Sequence, residues 1–497
     1  MFWRLQSLRP SIAVCRDWIR ELTLKNALKK FAQYFAVLIL VAVIIVAASI
    51  PAARLERPSD LQPLNNGQPL AIDNVNLVTM VDGQLLVDRQ LLIRNGIIER
   101  IEFAGTAVSD DYRRIDARGA YLMPGLFDMH VHAMDRKNLV LSLAYGVTSV
   151  RNMGGYPMHL RWKRELAEGH WLGSNLFSAT PTMNGKKNAN PLGEKIVTEP
   201  DKARQLVRRY HAQGWDFIKV YARLEVPVYE AIVDEAKSLD FPVAGHVPYP
   251  VVETDYRLAR PMVTLEHTED IFQGPLEYQY DDSAVEVIAR QLKDMNATVT
   301  PTLMIFDHLT RLAREKQAFL DALPLEYLNP VMRRFVDGTA GARWLGASET
   351  LQASLEKRNL YFQFITRVLH ETGVNLVLGT DWGAIYAIPG LSTHDEITLL
   401  QKAGLPTEAI LEMATINAAR VLGVEDRLGS IVEGKTADLI LVGHNPMTDP
   451  EYLRQPLAVI KNGQWLGKNE LDMLKKAASN PSNTYFTMGR VLEFLIY

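Results

Sequence analysis

The first pattern along the chain is an unbroken apolar run. Residues 31–50 (FAQYFAVLILVAVIIVAASI) carry no formal charge, and Gln33 is the clearest polar residue among them. Twenty residues of helix rise roughly 30 Å, about one hydrocarbon core. No amphipathic period marks the run as a buried soluble helix, so it predicts a transmembrane span. Residues 51–70 then turn polar and proline-rich, as a linker does. From residue 71, short β-type runs are separated by turns at Asp82-Gly83 and Asn95-Gly96. Asn-Gly is a strong hairpin signal, and a small β unit is expected over 71–120.

From residue 121 to 424 the period changes. Short apolar strands are expected at Tyr121–Asp128, Thr148–Asn152, Asn175–Ala179, Phe217–Tyr221, Val243–His246, Val263–His267, Thr298–Leu303 and Asn375–Thr380. Helical stretches such as Val228–Ser238 and Ser283–Asp294 lie between them. Eight alternating strand and helix units imply a parallel sheet closed into a (β/α)8 barrel, whose site lies at the carboxyl ends of the strands. The long connection from 304 to 374 is helical and reads as an insertion. A last helix is expected over Thr407–Leu422, stopped by Gly423. Residues 425–470 return to β character (GSIVEGKTADLILVG, then AVIKNGQWLG). They should pair with 71–120, giving one small β-sandwich domain built from both flanks of the barrel. The tail 471–497 carries no reading.

Charge adds orientation. Residues 1–30 hold seven Arg and Lys (Arg4, Arg9, Arg16, Arg20, Lys25, Lys29, Lys30) against Asp17 and Glu21. A basic leader stays in the cytoplasm, which puts the barrel on the far, periplasmic or extracellular side. A cleaved signal peptide, with Ala47-Ala48-Ser49 as the peptidase site, is the alternative. Across all 497 residues the balance is 54 basic against 57 acidic side chains, net −3, so no nucleic-acid surface is implied. The single cysteine, Cys15, precedes the apolar run. Any metal in the folded part must therefore be held by His, Asp, Glu or Lys chemistry.

The candidate chemistry sits at the expected strand ends. In Pro124-Gly125-Leu126-Phe127-Asp128-Met129-His130-Val131-His132 the two histidines are two residues apart, so a strand points both imidazoles to one face. The fifth strand ends in His246, the sixth in Glu266-His267, and the eighth runs into Asp381. Lys219 lies inside the apolar fourth strand, where an ammonium is costly unless paired or chemically changed. An internal ion pair is the plain alternative for it. Each of these residues alone is weak evidence; the set is specific.

These residues and their surroundings (PGLFDMHVH, YGVTSVRNMGG, DFIKVY, VAGHVP, LEHTED, GTDWG, ATINAARVLG, GSIVEGKTADLILV) resemble the amidohydrolase superfamily, from about residue 71 to 470. The likeness is to the imidazolonepropionase-like and Xaa-Pro-dipeptidase-like branch with a strand-four lysine. It implies two divalent ions, usually zinc, one on His130, His132 and Asp381, the other on His246 and His267. Lys219, carbamylated by CO2, would bridge both. Asn152 departs from the Asp that many relatives carry there, at a position that is not a ligand.

The resemblance implies hydrolysis of an amide, dipeptide or cyclic amide C–N bond, with water shared by the two ions lowered in pKa. Asp381 would take the proton of that water and hand it to the leaving amine. Arg151, Tyr221, Arg223, Tyr249 and His394 are candidates for substrate contact, since an arginine can grip the carboxylate of a dipeptide or N-acyl amino acid. Two other readings stand beside this one. One has the same site serve lactone, phosphotriester or deamination substrates, although deaminases of the superfamily usually use one metal and lack the lysine. A non-catalytic membrane-anchored binding protein is the third.

Overall fold

The computed structural model describes residues 10–56, 68–187, 189–190, 193–479 and 484–497, with side chains from residue 28 onward. The first nine residues of the basic leader, and 57–67 of the expected linker, lie outside the described residues.

Two parallel sheets are joined into one ring. Leu126–Val131, Val147–Asn152 and Asn175–Ser178 pair in parallel. So do Ile218–Val220, Val243–Gly245, Thr264–Glu266, Thr298–Thr300 and Asn375–Leu376. A bridge from Ala179 to Phe217 links the two groups on one side. On the other, Val131 bridges Trp382, Asp381 N–H donates to the His130 carbonyl (2.7 Å), and His132 N–H to the Trp382 carbonyl (2.8 Å). The chain thus returns to its first strand in the order that a (β/α)8 barrel requires. Both faces of these interior strands are covered, so every residue of Leu126–Val131 and Val147–Asn152 is buried, the polar ones included.

Three expectations need correction. The first strand does not run unbroken from Tyr121: Tyr121–Pro124 pairs antiparallel with Leu439–Val442 in the small domain, and the barrel strand starts at Leu126. The small domain is one continuous eight-stranded sheet by its hydrogen bonds, rather than a sandwich of two. Both flanks do build it, with Leu70–Val78 near its centre. The helix expected over 407–422 is two, Thr407–Met413 and Ile416–Val421. The barrel takes its carbonyls there: Leu378 N–H donates to Met413 O (3.1 Å) and Phe127 N–H to Ala414 O (2.8 Å). Those acceptors are lost to the helical ladder.

The apolar N-terminal helix runs from Pro10 to Leu55, longer than its 20-residue span, and takes in the first residues of the expected linker. Leu28–Leu55 is long and apolar enough to cross a membrane, and its large side chains from Phe31 to Val46 are exposed. The tail, which gave no reading, forms two helices, Lys468–Ala478 and Thr484–Ile496. Thr484–Ile496 packs on the end of the N-terminal helix. Ser49 and Ala53 are buried there, and a Cβ at Gly489 would overlap the Ser49 carbonyl oxygen. Glu493 accepts from Arg54 (2.8 Å) and from both terminal nitrogens of Arg161 (2.7 and 2.8 Å). Arg490 pairs with Glu56, and its Nη1 donates to Met134 O (3.1 Å). The long apolar helix is thus tied to the loop that follows the first barrel strand.

Candidate active site

A cavity of about 330 Å3 opens at the carboxyl ends of the barrel strands, with His130, His132, Lys219, His246, His267 and Asp381 in its wall. The strand registers explain the convergence, since alternate residues of a strand share a face. His130 and His132 leave the first strand together. Their rings stand 5.4 Å apart; His130 is 4.6 Å from His267, which is 4.5 Å from His246. The Asp381 carboxylate comes from the loop after the eighth strand and lies 2.9 Å from His132 Nε2 and 3.5 Å from His130 Nε2.

The donor set fits a cation. His130 Nδ1 meets Glu266 (2.8 Å), His246 Nδ1 meets Asp270 (2.9 Å), and His267 Nδ1 meets Thr302 Oγ1 (2.7 Å). With Nδ1 engaged outside the cavity, the other ring nitrogen of each is left to turn inward as a ligand. The buried Asp381 Oδ1 faces the Nε2 atoms of both His132 and His130. His130, His267 and Asp381 form a group able to hold a metal ion, their ligand atoms within 4.8 Å of one another. This trio spans the two sets that the sequence suggested, so it describes the waist of the site rather than either half.

Lys219 is 2 % exposed, and no carboxylate lies within ion-pair distance of it among the described residues. Burial pulls its amine down to about 8. Its stem runs along the next strand, where a Cβ at Gly245 would overlap the Val220 carbonyl and crowd Lys219 Cδ; Gly245 itself sits at φ +139°. Burial pushes Asp381 up, but the charge of His130 and the hydrogen bond to His132 outweigh it and hold the carboxyl well below its usual range. His267 (φ +69°), Asp381 (φ +61°) and Thr302 (φ +53°) all hold backbone conformations that L residues rarely adopt. Strain of that kind, of order 1–3 kcal/mol each, persists where surrounding structure imposes it, commonly at functional sites.

The substrate candidates divide. Tyr221 lines the cavity, its ring edge-on to His246 at 4.4 Å. Arg151 does not: it is 1 % exposed and donates to Met129 O (2.6 Å), Thr264 Oγ1 (2.7 Å) and Glu266 (2.7 Å) beneath the histidines. His394 is buried against the Tyr145 carbonyl (2.9 Å), away from the cavity. Arg223 stacks on Tyr249 (4.5 Å), whose hydroxyl donates to Gln273, and neither lines the cavity. Glu194, Glu269, Tyr156 and Phe306 do, without having been singled out in the sequence. Asn152 is buried: its Oδ1 accepts from Ala133 N–H and its Nδ2 donates to Gly154 O and Ser178 Oγ, which pins the loop after His132.

Glu266, Asp270 and Asp128 were also missed as working residues. Asp128 accepts from Thr380 Oγ1 (2.8 Å), Thr393 Oγ1 (2.9 Å) and Thr380 N–H (3.1 Å), and so fixes the turn that presents Asp381. A signal existed for it, because Asp128 shares the strand face of His130 and His132. Asp270→Asn keeps the shape but weakens the hold on the His246 ring. It is expected to cost 10–100-fold in metal affinity, as removal of such a partner typically does. Competition with a chelator of known strength, on wild type and variant, checks this.

Comparison with known proteins places this arrangement. The amidohydrolase family model matches residues 121–466. The chain belongs to the amidohydrolase family. Among similar proteins is the 5-methylthioadenosine/S-adenosylhomocysteine deaminase of Saccharophagus degradans, 26% identical over 400 residues, 72% of this chain and 80% of that one. Another is the imidazolonepropionase of Caldanaerobacter subterraneus subsp. tengcongensis, 23% identical over 379 residues, 71% and 83% of the two chains. Bottromycin amidohydrolase superposes with a TM-score of 0.69 at 26% identity, covering 87% of this chain and 93% of its own. A Xaa-Pro dipeptidase shares the fold with a TM-score of 0.62 at 22% identity, over 80% of this chain and all of that one. This amidohydrolase is accordingly a metal-dependent hydrolase of C–N bonds.

Proposed function

We propose that this amidohydrolase cleaves an amide bond of a small amphiphilic or peptide-like substrate on the non-cytoplasmic side of a membrane. The observation that carries the amide reading is Lys219, buried, with no carboxylate at ion-pair distance among the described residues, and lining one cavity with four histidines and Asp381. A free ammonium there would repel cations, whereas its carbamate offers two anionic oxygens to them. Two divalent ions, zinc by donor type, would be held by His130, His132 and Asp381 on one side and His246 and His267 on the other, with modified Lys219 between. Bound there, they would supply Lewis acidity and a water of lowered pKa.

The chain's own residues then do the rest. Asp381, held ionised by its histidine neighbours, takes a proton from the attacking water as the new C–O bond forms at the carbonyl carbon. The C–N bond breaks, and the same carboxyl returns the proton to the departing nitrogen, leaving a carboxylic acid and an amine. Tyr221 borders the reacting centre from the fourth strand.

The second reading, deamination, draws support from the deaminase relative and from the compact trio His130, His267 and Asp381, which suits one ion. A panel of N-acyl amino acids, dipeptides, lactams, lactones and aminopurine nucleosides separates the two. Amide cleavage without ammonia release supports the first reading, and ammonia from the nucleosides alone overturns it.

The membrane placement rests on the apolar helix and the basic residues before it. Alkaline phosphatase fused after residue 70 is expected to be active, and a fluorescent protein that matures only in the cytoplasm dark. The reverse pattern would invert the orientation.

A further inference from the structure

The metal cavity has a neighbour that the chemistry above does not use. A second cavity of about 200 Å3 lies between the C-terminal helix and the short strand Glu194–Ile196. Its apolar wall is Ile196, Tyr210, Phe494, Leu495 and Tyr497, and Glu194 borders both this cavity and the metal cavity. Phe494 packs on Tyr156 (ring centroids 4.6 Å), and Tyr156 is itself a wall of the metal cavity. The two spaces therefore adjoin across Glu194 and Tyr156.

Exposed apolar side chains stand on and beside the outer lip of the groove, whose lining also includes Lys195. Ile196 is 44 %, Leu495 49 % and Ile496 70 % exposed. The same C-terminal helix is seated on the end of the long apolar helix, through Gly489 against Ser49 and through the Arg54–Glu493 and Glu56–Arg490 pairs. If Leu28–Val46 lies in a bilayer, the seat at Ser49–Glu56 lies at its surface, and so does the helix that carries Leu495 and Ile496. The groove then opens where hydrocarbon is at hand.

Resting on the proposed amide hydrolysis and membrane placement, we infer that this groove is an acyl-chain subsite: the substrate is an N-acyl amphiphile whose hydrocarbon tail lies along Ile196, Phe494 and Leu495 while its amide carbonyl reaches the histidines. The occupant is a fatty acyl chain and not another protein, because the groove shares Glu194 with the cavity where the amide is cut and is walled off from it only by that side chain and the Tyr156–Phe494 pair.

The test uses the full chain in lipid nanodiscs and two readouts. The first is labelling by a dodecanoyl glycine bearing a diazirine near its chain end, mapped by peptide mass spectrometry; it needs no turnover. Crosslinks are expected at 194–196 and 494–497, and to disappear in the Ile196→Glu/Leu495→Glu double variant. Labelling confined to 28–48, or unchanged in the double variant, overturns the subsite. The second is kcat/KM for N-acyl glycines from butanoyl to octanoyl, all below their micelle concentrations. A gain of at least about tenfold over four methylenes is expected, each buried methylene being worth up to about fourfold. Hydrolysis with no dependence on chain length would remove the subsite and leave the amidohydrolase reading standing. Groove labelling with no hydrolysis of any acyl amide would do the opposite.

Discussion

Asp381→Asn is expected to lower kcat by 10²–10⁴ with the fold intact and metal still bound. The asparagine keeps the size of the side chain and one ligand oxygen, but it cannot accept a proton, and losing general acid–base help costs about that factor. The environment of Asp381 suits the role. Its carboxylate faces His130 and His132 at 3.5 and 2.9 Å, and their charge and hydrogen bonding outweigh burial to keep it ionised. The effect should fall on kcat, with KM little changed, because proton transfer belongs to the transition state and not to substrate binding. Near-native turnover by the metal-loaded variant would remove Asp381 from this role.

Lys219→Ala is expected to lose nearly all activity and much of its bound metal. The lysine is buried among the ligands, and burial lowers its amine to about 8, which makes the neutral form that reacts with CO2 accessible. Acetate or propionate should restore a fraction of both metal content and turnover by placing two oxygens in the vacated space. Lys219→Arg should resist rescue, since its guanidinium fills that space and keeps its charge. A readout independent of activity is available: wild-type protein reconstituted in ¹³C-bicarbonate should show a carbamate carbon by NMR, and Lys219→Ala none. Full activity in Lys219→Ala, or no carbamate signal in metal-loaded wild type, would return the site to a single-ion arrangement of histidines and Asp381.

The barrel strands were legible because their apolar runs and strand-end residues lie within short windows. The period of two put His130 and His132 on one face before any contact was known, and the same alternation places Lys219 on the cavity side of its strand. What escaped the sequence depends on pairs far apart in the chain. Glu266 reaches His130 across 136 positions, and Arg151 turns beneath the site to meet that same Glu266. A charged residue at a strand end can face the cavity or the layer below it, and nothing local decides which. The break of the last barrel helix likewise comes from carbonyls claimed by Phe127 and Leu378, partners that no helix propensity foretells. The tail gave no reading because its helix gains its partners only when Gly489 meets Ser49 and Glu493 meets Arg54 and Arg161.

The most direct test of the account is amide hydrolysis by one preparation of the full-length protein, assayed as purified, after chelation and dialysis, and after zinc and bicarbonate are returned. Cleavage of an N-acyl amino acid or lactam is expected to fall to background on chelation and to return with the metal. Amide cleavage that survives complete removal of metal would contradict it, as would a metal-replete protein that hydrolyses no C–N bond at all.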